Sequence, residues 1–210
     1  MKKLQLLLAG ILIAGTASAE VLSITSGIDL DDPTQLSVDA GYSSGDIDTL
    51  GARVNYRLNP DFLVFAGIGH SDLDSESDLS FGGGVIYTLP DFGLPFKSGI
   101  KASFYRWSAT YDIVDVDIDE ITVRYVMSGN IDAVDNLKWF GEAGLHFLSS
   151  SVSYNIPVGP EMRRASSSWD DTELGLEVGL LYDITQDLTG IVSLEIVDST
   201  FVNLAVRYKF

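Results

Sequence analysis

Cysteine is absent from the 210 residues of the chain, and histidine is nearly so, with only His70 and His146. Without thiols the protein has no disulfide framework and no thiolate chemistry. Two histidines also leave few candidates for general acid–base catalysis. The residue types present therefore give little support to an enzyme.

Basic residues are scarce as well. The chain has 13 Lys and Arg against 30 Asp and Glu, which gives a net charge of −17. Nucleic acid is therefore not expected as a partner, because recognition of its phosphate backbone requires a basic surface. Acidity of this size more often serves solubility than the binding of cations.

Long apolar runs are missing too, apart from one near the start. Two lysines precede an apolar stretch at residues 4–14, and residues 17–19 (Ala-Ser-Ala) have the pattern of a signal-peptide cleavage site. We predict a signal peptide at 1–19; its loss leaves 11 basic and 30 acidic residues, a net charge of −19. A membrane-spanning helix needs about 20 apolar residues, so membrane insertion would require strands. A secreted or periplasmic soluble protein is the alternative.

Alternation of apolar and polar residues with period two is what the sequence does contain, and it indicates β-strands with two different faces. We predict an all-β fold, a single-chain antiparallel transmembrane barrel of ten strands over residues 35–210, after a periplasmic lead-in at 20–34. Eight strands, or a further strand at Val21–Leu30, are alternatives. The predicted strands are 35–43, 49–58, 62–71, 79–89, 97–111, 118–129, 138–149, 172–184, 188–197 and a terminal strand that ends at Phe210.

Connections between these strands differ in length and charge. Short turns are expected at 59–61, where Asn-Pro-Asp favours a turn, and at 185–187. Longer connections are expected at 90–96 and 130–137. All four belong on the periplasmic side, because bacterial barrels have both termini there. The other connections, most of them longer and more acidic, are expected outside. They are 44–48, 72–78, 112–117, 150–170 and 198–199.

Charged residues of both signs fall on the face expected to point into the barrel. Mixed charges in a narrow interior are stable only when they pair, so we predict a closed, cross-linked lumen, with a narrow channel as the alternative. Arg207 and Lys209 are expected to face Glu177, Asp183 and Glu195. The predicted lumen residues are Asp39, Arg53, Asn55, Arg57, Lys101, Arg124, Glu142, His146, Glu173, Glu177, Asp183, Glu195, Arg207 and Lys209.

The signal peptide, the alternating hairpins, the two short turns and the Arg-Tyr-Lys-Phe ending together resemble the small bacterial outer-membrane barrels of the OmpA, OmpX and OmpW type. The resemblance implies an integral barrel in the bacterial outer membrane, surrounded by outer-membrane lipids and lipopolysaccharide. It also implies that Tyr208 and Phe210 belong to a signal read by the barrel-assembly machinery. The implied role is structural or surface-binding, through acidic extracellular loops whose ligand is unknown.

Catalytic, metal and cofactor sites are not expected. His70 lies beside Ser71 and Asp72, but neighbours on a strand point to opposite faces. Glu142 and His146 share a face but lie about 13 Å apart along a strand. The acidic row of Asp72, Asp74, Glu76 and Asp78 lacks the glycine and the final glutamate of a calcium loop.

Aromatic residues near the predicted strand ends are expected to anchor the barrel at the two membrane interfaces. They are Trp107, Trp139, Trp169, Tyr42, Tyr56, Tyr87, Tyr125, Tyr182 and Tyr208.

Overall fold

The computed structural model describes residues 27–45, 48–73, 76–111, 114–158, 161–197 and 199–210. The predicted signal peptide lies outside this part of the chain, so its cleavage stays a prediction.

Ten antiparallel strands form a closed barrel in which each strand pairs with its neighbours in sequence and the last strand pairs with the first. The prediction of ten strands rather than eight is confirmed. The described residues contain no helix long and apolar enough to cross a membrane. The strands are β1 (Leu36–Ser44), β2 (Asp48–Asn59), β3 (Phe62–Leu73), β4 (Glu76–Thr88), β5 (Lys97–Tyr111), β6 (Val114–Asn130), β7 (Leu137–Val158), β8 (Glu161–Asp183), β9 (Leu188–Ile196) and β10 (Thr200–Lys209).

The two ends of the barrel differ in their connections. We call the end that holds Leu36 and Phe210 the lower end, and the end that holds the β1–β2, β3–β4, β5–β6, β7–β8 and β9–β10 hairpins the upper end. At the lower end, Asn59 Oδ1 accepts hydrogen bonds from the backbone N–H groups of Asp61 and Phe62, at 2.9 and 3.0 Å. These bonds close the β2–β3 turn in the way asparagine favours.

Apolar side chains point outward and polar side chains inward over the lower part of the wall. On β10, Val202 and Leu204 are 45% and 53% exposed, whereas Asn203 and Arg207 on the other face are 1% and 6% exposed. The alternation read from the sequence therefore assigns the faces of this strand as the structure has them.

The predicted upper connections at 112–117 and 150–170 are wrong. β6 already begins at Val114, while β7 and β8 reach Val158 and Glu161. These strand segments were predicted as loops because they are rich in serine and aspartate, which are typical of turns. The predicted connections at 44–48 and 72–78 are shorter as well, since β1 ends at Ser44, β2 begins at Asp48, β3 ends at Leu73 and β4 begins at Glu76.

The apolar face of the wall changes sides at one level. On β6, Ile121 and Val123 point outward and are exposed, whereas Val116 and Ile118 point inward and are buried. A strand buries its apolar face away from water, so the wall below this level suits apolar surroundings and the wall above it suits water. The same change occurs between Phe104 and Arg106 on β5, between Phe147 and Ser149 on β7, and between Leu174 and Thr172 on β8.

Residues 27–34 enter the lower mouth of the barrel and form no strand. Ile28 and Leu30 are buried in one cluster with Phe65 and Ile86 of the wall. The described part of the predicted lead-in therefore closes the lower end from inside.

Candidate functional site: a closed, charged lumen

Arg124 is the centre of a charged cluster in the middle of the lumen. Its side chain is fully buried, and its guanidinium nitrogens lie 2.5 Å from Glu195 Oε1, 3.5 Å from Glu142 Oε2 and 3.7 Å from Glu177 Oε2. The Lys101 ammonium lies 2.8 Å from the same oxygen of Glu142. Buried ions are stable only when they are paired, and this cluster pairs charges from five consecutive strands, β5 to β9.

Strand register builds this cluster. Lys101 and Arg124 are direct neighbours on β5 and β6, while Glu142, Glu177 and Glu195 form one row across β7, β8 and β9. Like charges side by side on adjacent strands repel, so the row of glutamates depends on the two cations that reach it. Ser193 adds a hydrogen bond of 2.6 Å to Glu177 Oε1.

His146 extends the cluster, and its contacts favour one tautomer of the neutral ring. Nε and an amino nitrogen of Arg124 lie 3.0 and 2.5 Å from His146 Nε2. A guanidinium can only donate hydrogen bonds, so Nε2 must accept. The proton of the neutral imidazole is then on Nδ1, which donates to Glu120 Oε1 at 2.8 Å.

A second cluster surrounds Asp39 nearer the lower end. Arg207 binds both carboxylate oxygens of Asp39, at 2.7 and 2.9 Å. Arg53 and Asn55 donate to Asp39 Oδ2 at 2.8 and 3.1 Å. A two-pronged arginine–carboxylate pair is strong and fixes orientation, so this cluster ties β10 to β1 and β2 inside the lumen.

Residues 27–34 are held in the lower mouth by charges and backbone hydrogen bonds. Asp29 lies 2.6 Å from Lys138 Nζ, and Asp32 lies 3.2 Å from Lys209 Nζ. Arg207 donates to the Gly27 carbonyl at 2.7 Å, and the Leu30 N–H donates to Ser128 Oγ at 2.9 Å. These bonds tie the segment to strands on several sides of the wall.

Asp32 is buried in this arrangement, and its pKa is lowered. Burial alone would raise the pKa, but hydrogen bonds from Thr34 and the nearby ammonium of Lys209 outweigh burial. The carboxylate is therefore ionised when it holds the segment in place.

The spaces between the segment and the wall differ in size, and one of them is a cleft of about 640 Å³ between residues 30–33 and the β2–β3 turn. A cavity of about 20 Å³ lies among Ile28, Asp29, Arg53 and Arg207, which is room for about one water molecule. Above the charged clusters, inward apolar side chains of β5, β6 and β7 form a buried layer, in which Trp107 is only 3% exposed. The fold thus contains three layers that obstruct a path: residues 27–34, the charged clusters and the apolar upper part. The apolar layer includes Tyr105, Trp107, Ala109, Val114, Val116, Ile118, Leu148, Val152 and Tyr154.

The structure places the predicted lumen residues on the inward face, but the predicted partners of Arg207 are wrong. Lys209 contacts Asp183 at 3.1 Å as expected. Arg207 was expected to face Glu177 and Glu195, yet the register sets it beside Asp39. Those two glutamates contact Arg124 instead.

Several members of the clusters were not identified from the sequence. Glu120 lies within the predicted strand 118–129 and shares the inward face of Thr122 and Arg124, so applying the face assignment to the upper end of that strand would have found it. Asp29 and Asp32 lie in a segment without strand periodicity. No local pattern indicates their contacts.

Of the residues weighed as catalytic, His70 and Ser71 do not converge, whereas Glu142 and His146 meet through Arg124. His70 is on the outward face of β3, whereas Ser71 points inward and shares a hydrogen bond of 2.8 Å with Thr49. The side chains of the acidic row Asp72–Asp78 lie outside the described residues, so its assessment stays a prediction. Among the side chains that are described, no group of three His, Asp or Glu is arranged to hold a metal ion.

Most of the predicted interface aromatics point outward, but two do not. Trp107 is inside the lumen, and Trp169 is half-buried against the apolar cluster, so their assignment to the interface is wrong. Trp139 is half-buried, with its ring 5.9 Å from that of Phe96. The outward, exposed residues of the set are Tyr42, Tyr56, Tyr87, Tyr125, Tyr182 and Tyr208.

Comparison with known proteins supports the fold. No family model matches the chain, and no curated protein matches its sequence. The outer membrane protease OmpT from Escherichia coli superposes with a TM-score of 0.52 at 10% identity, over 84% of this chain and 94% of that one. The KdgM porin gives 0.45 at 13% identity, over 83% and 99%, and the attachment invasion locus protein Ail of Yersinia pestis gives 0.45 at 17%, over 84% and 99%. The expected outer-membrane-type barrel is thereby confirmed as a fold.

Proposed function

We propose that the protein is an integral barrel of the bacterial outer membrane, closed along its lumen, with a structural or surface-binding role. The observation that carries this proposal is the apolar outer surface of the wall. Soluble proteins rarely expose continuous apolar patches larger than a few hundred Å². Here exposed apolar side chains lie on all ten strands.

The height of this surface matches a membrane. Outward apolar residues run from Leu174 on β8 to Ile184 directly after its end, which at a tilt of about 40° corresponds to about 25 Å. Outward tyrosines lie towards its lower edge, among them Tyr56, Tyr87 and Tyr182, and Phe81, Phe104 and Phe147 lie towards its upper edge. Aromatic residues prefer these two interfaces.

The three layers inside the barrel support a closed lumen in preference to a channel. A binding role is then assigned to the part of the barrel wall that extends above the apolar surface. Its outer face is polar and acidic, with Asp115, Asp117 and Asp119 on β6 and Asp170 on β8. We assign no catalytic role, because His70 and Ser71 point to opposite faces.

Two measurements test the proposal. An inserted barrel should migrate differently on gels before and after boiling, and recovery of the protein from a soluble periplasmic fraction without this shift would overturn it. In planar lipid bilayers the purified protein should give no discrete conductance steps. Regular steps would support the narrow channel instead.

A further inference from the structure

The upper part of β8 has an open edge. β7 pairs with β8 along its whole length, from Leu137 opposite Tyr182 to Val158 opposite Glu161. β9 pairs with β8 only from Leu176 to Asp183, because the β9–β10 hairpin turns back after Ile196. Residues 164–172 therefore have no backbone partner on their second edge among the described residues.

An open edge of this length is a template for another strand. Every second residue directs its N–H and C=O groups towards the gap, and such rows pair readily with an added strand. Arg164 to Ser168 and Asp170 to Thr172 are exposed. Closure of the barrel covers this edge of β8 only at the level where β9 is present.

The edge carries basic and acidic residues that come into register with one another when two copies of the edge pair antiparallel. In an antiparallel pair of two such edges centred on Ser167, Arg164 of each copy lies opposite Asp170 of the other, and Ser166 lies opposite Ser168. The sequence repeats the complementarity at the next position, with Arg163 opposite Asp171. Shifting the register by two residues in either direction separates both pairs.

We propose that the open edge of β8 binds the same edge of a second copy of this chain, antiparallel and centred on Ser167. Opposite charges on paired strands attract, and a two-fold contact uses each pair twice. Because the two copies of β8 run in opposite directions, the two barrels extend from opposite ends of the joined sheet. The contact therefore links two facing membranes. The partner in the proposed surface-binding role is then a second copy of the same chain, and this inference rests on that role.

Space for the second copy is present. The β9–β10 hairpin stops near the level at which the apolar face changes sides, so the region above it, beside β8, is empty of the described chain. Six residues separate Ser167 from the apolar surface, which sets the two membranes about 30 Å apart at a strand tilt of about 40°.

Cross-linking tests the contact directly, because the chain has no cysteine. Ser167→Cys should give a disulfide-linked dimer under mild oxidation in detergent. Ser149→Cys is the matched control, since this exposed serine lies on β7 between β6 and β8. A yield for Ser167→Cys that equals the control would overturn the proposal.

Charge reversal tests the register. Arg164→Asp should weaken dimerisation about tenfold or more, since it turns two attractions into two repulsions. Combination with Asp170→Arg should restore it, whereas Arg106→Asp, on β5, should have no effect. Dimerisation that is indifferent to Arg164→Asp would refute the register.

Vesicle clustering tests the geometry. Lipid vesicles that contain the protein should aggregate, as followed by light scattering, and vesicles with Arg164→Asp should not. Dimers that form in detergent without clustering of vesicles would refute the facing-membrane arrangement. The gel shift on boiling, measured for each variant, separates the two proposals: an intact barrel that does not pair refutes only the dimer.

Discussion

Replacing Arg124 should be among the most damaging single substitutions in the lumen. Arg124→Met removes the cation that lies within 3.7 Å of Glu142, Glu177 and Glu195 and the donor to His146. Breaking a buried ion pair from one side costs about 3–5 kcal/mol, because the partner charge stays buried without compensation. We therefore expect the free energy of unfolding to fall by about 3–5 kcal/mol.

Arg106→Met is the matched control for this substitution. Arg106 lies on the outer face, 3.4 and 3.6 Å from Asp117 and Asp119, and all three side chains are partly exposed, at 36–42%. Exposed ion pairs contribute about 0–1 kcal/mol, so this variant should unfold almost as the unmodified protein does. Urea unfolding in lipid vesicles, followed by tryptophan fluorescence, measures both.

A second substitution identifies the cause. Glu195→Gln should be destabilising in the unmodified protein, because Glu195 accepts a hydrogen bond from Arg124. In the Arg124→Met background it removes an uncompensated charge, so it should cost at least about 1 kcal/mol less there, a coupling typical of contacting residues. Equal costs for Arg124→Met and Arg106→Met, or no coupling with Glu195→Gln, would refute the reasoning.

Three further outcomes follow from the structure. Gly175→Ala should destabilise by about 1–3 kcal/mol in the same urea assay, because a Cβ there would lie within van der Waals overlap of His146; Gly190→Ala, with neighbours no closer than 3.5 Å, should be tolerated. Because the pKa of Asp32 is lowered from 3.8, its ionised form holds residues 27–34 in place above that pH, and this stabilisation is lost as the pH falls through the lowered value. The protection of residues 27–34 against hydrogen exchange, measured relative to the intrinsic rate at each pH, should therefore fall below about pH 3.8, and unchanged protection would contradict this. Deleting Phe210, which packs on Tyr208 with ring centroids 4.9 Å apart, should reduce the amount of barrel recovered from the outer membrane in cells, and full recovery would refute its role in assembly.

Face assignment was predictable from the sequence because it depends on local parity. Once Arg207 is placed inward on β10, Val206 and Tyr208 must point outward. The same alternation places Arg124 inward on β6 and Glu177 inward on β8. Which inward charges meet was less predictable, because that depends on the register between strands far apart in sequence. Arg207 shows this: its partner Asp39 precedes it by 168 residues.

Strand ends and the position of residues 27–34 were not predictable from a single amphipathic pattern. On β6, Val114, Val116 and Ile118 alternate with aspartates as regularly as the residues below them, but on the opposite parity. A reading that expects apolar residues on one face throughout assigns such a stretch to a loop. Residues 27–34 have no period at all, and their position follows from ion pairs with Lys138 and Lys209.

The height of the wall connects the membrane, the lumen and the open edge. Within the apolar surface the strands have two partners up to its upper margin, where β9 pairs with β8 from Leu176 and Leu174 lies just above, because an unpaired backbone group in lipid would cost several kcal/mol. Above the level of Phe104, Ile121 and Phe147 water can satisfy these groups, so neighbouring hairpins are free to differ in length. β7 and β8 rise there and β9 does not, which exposes the edge at the height where the apolar face turns inward. The barrel is thus closed where the solvent is lipid, and it is open to a partner strand only where the solvent is water.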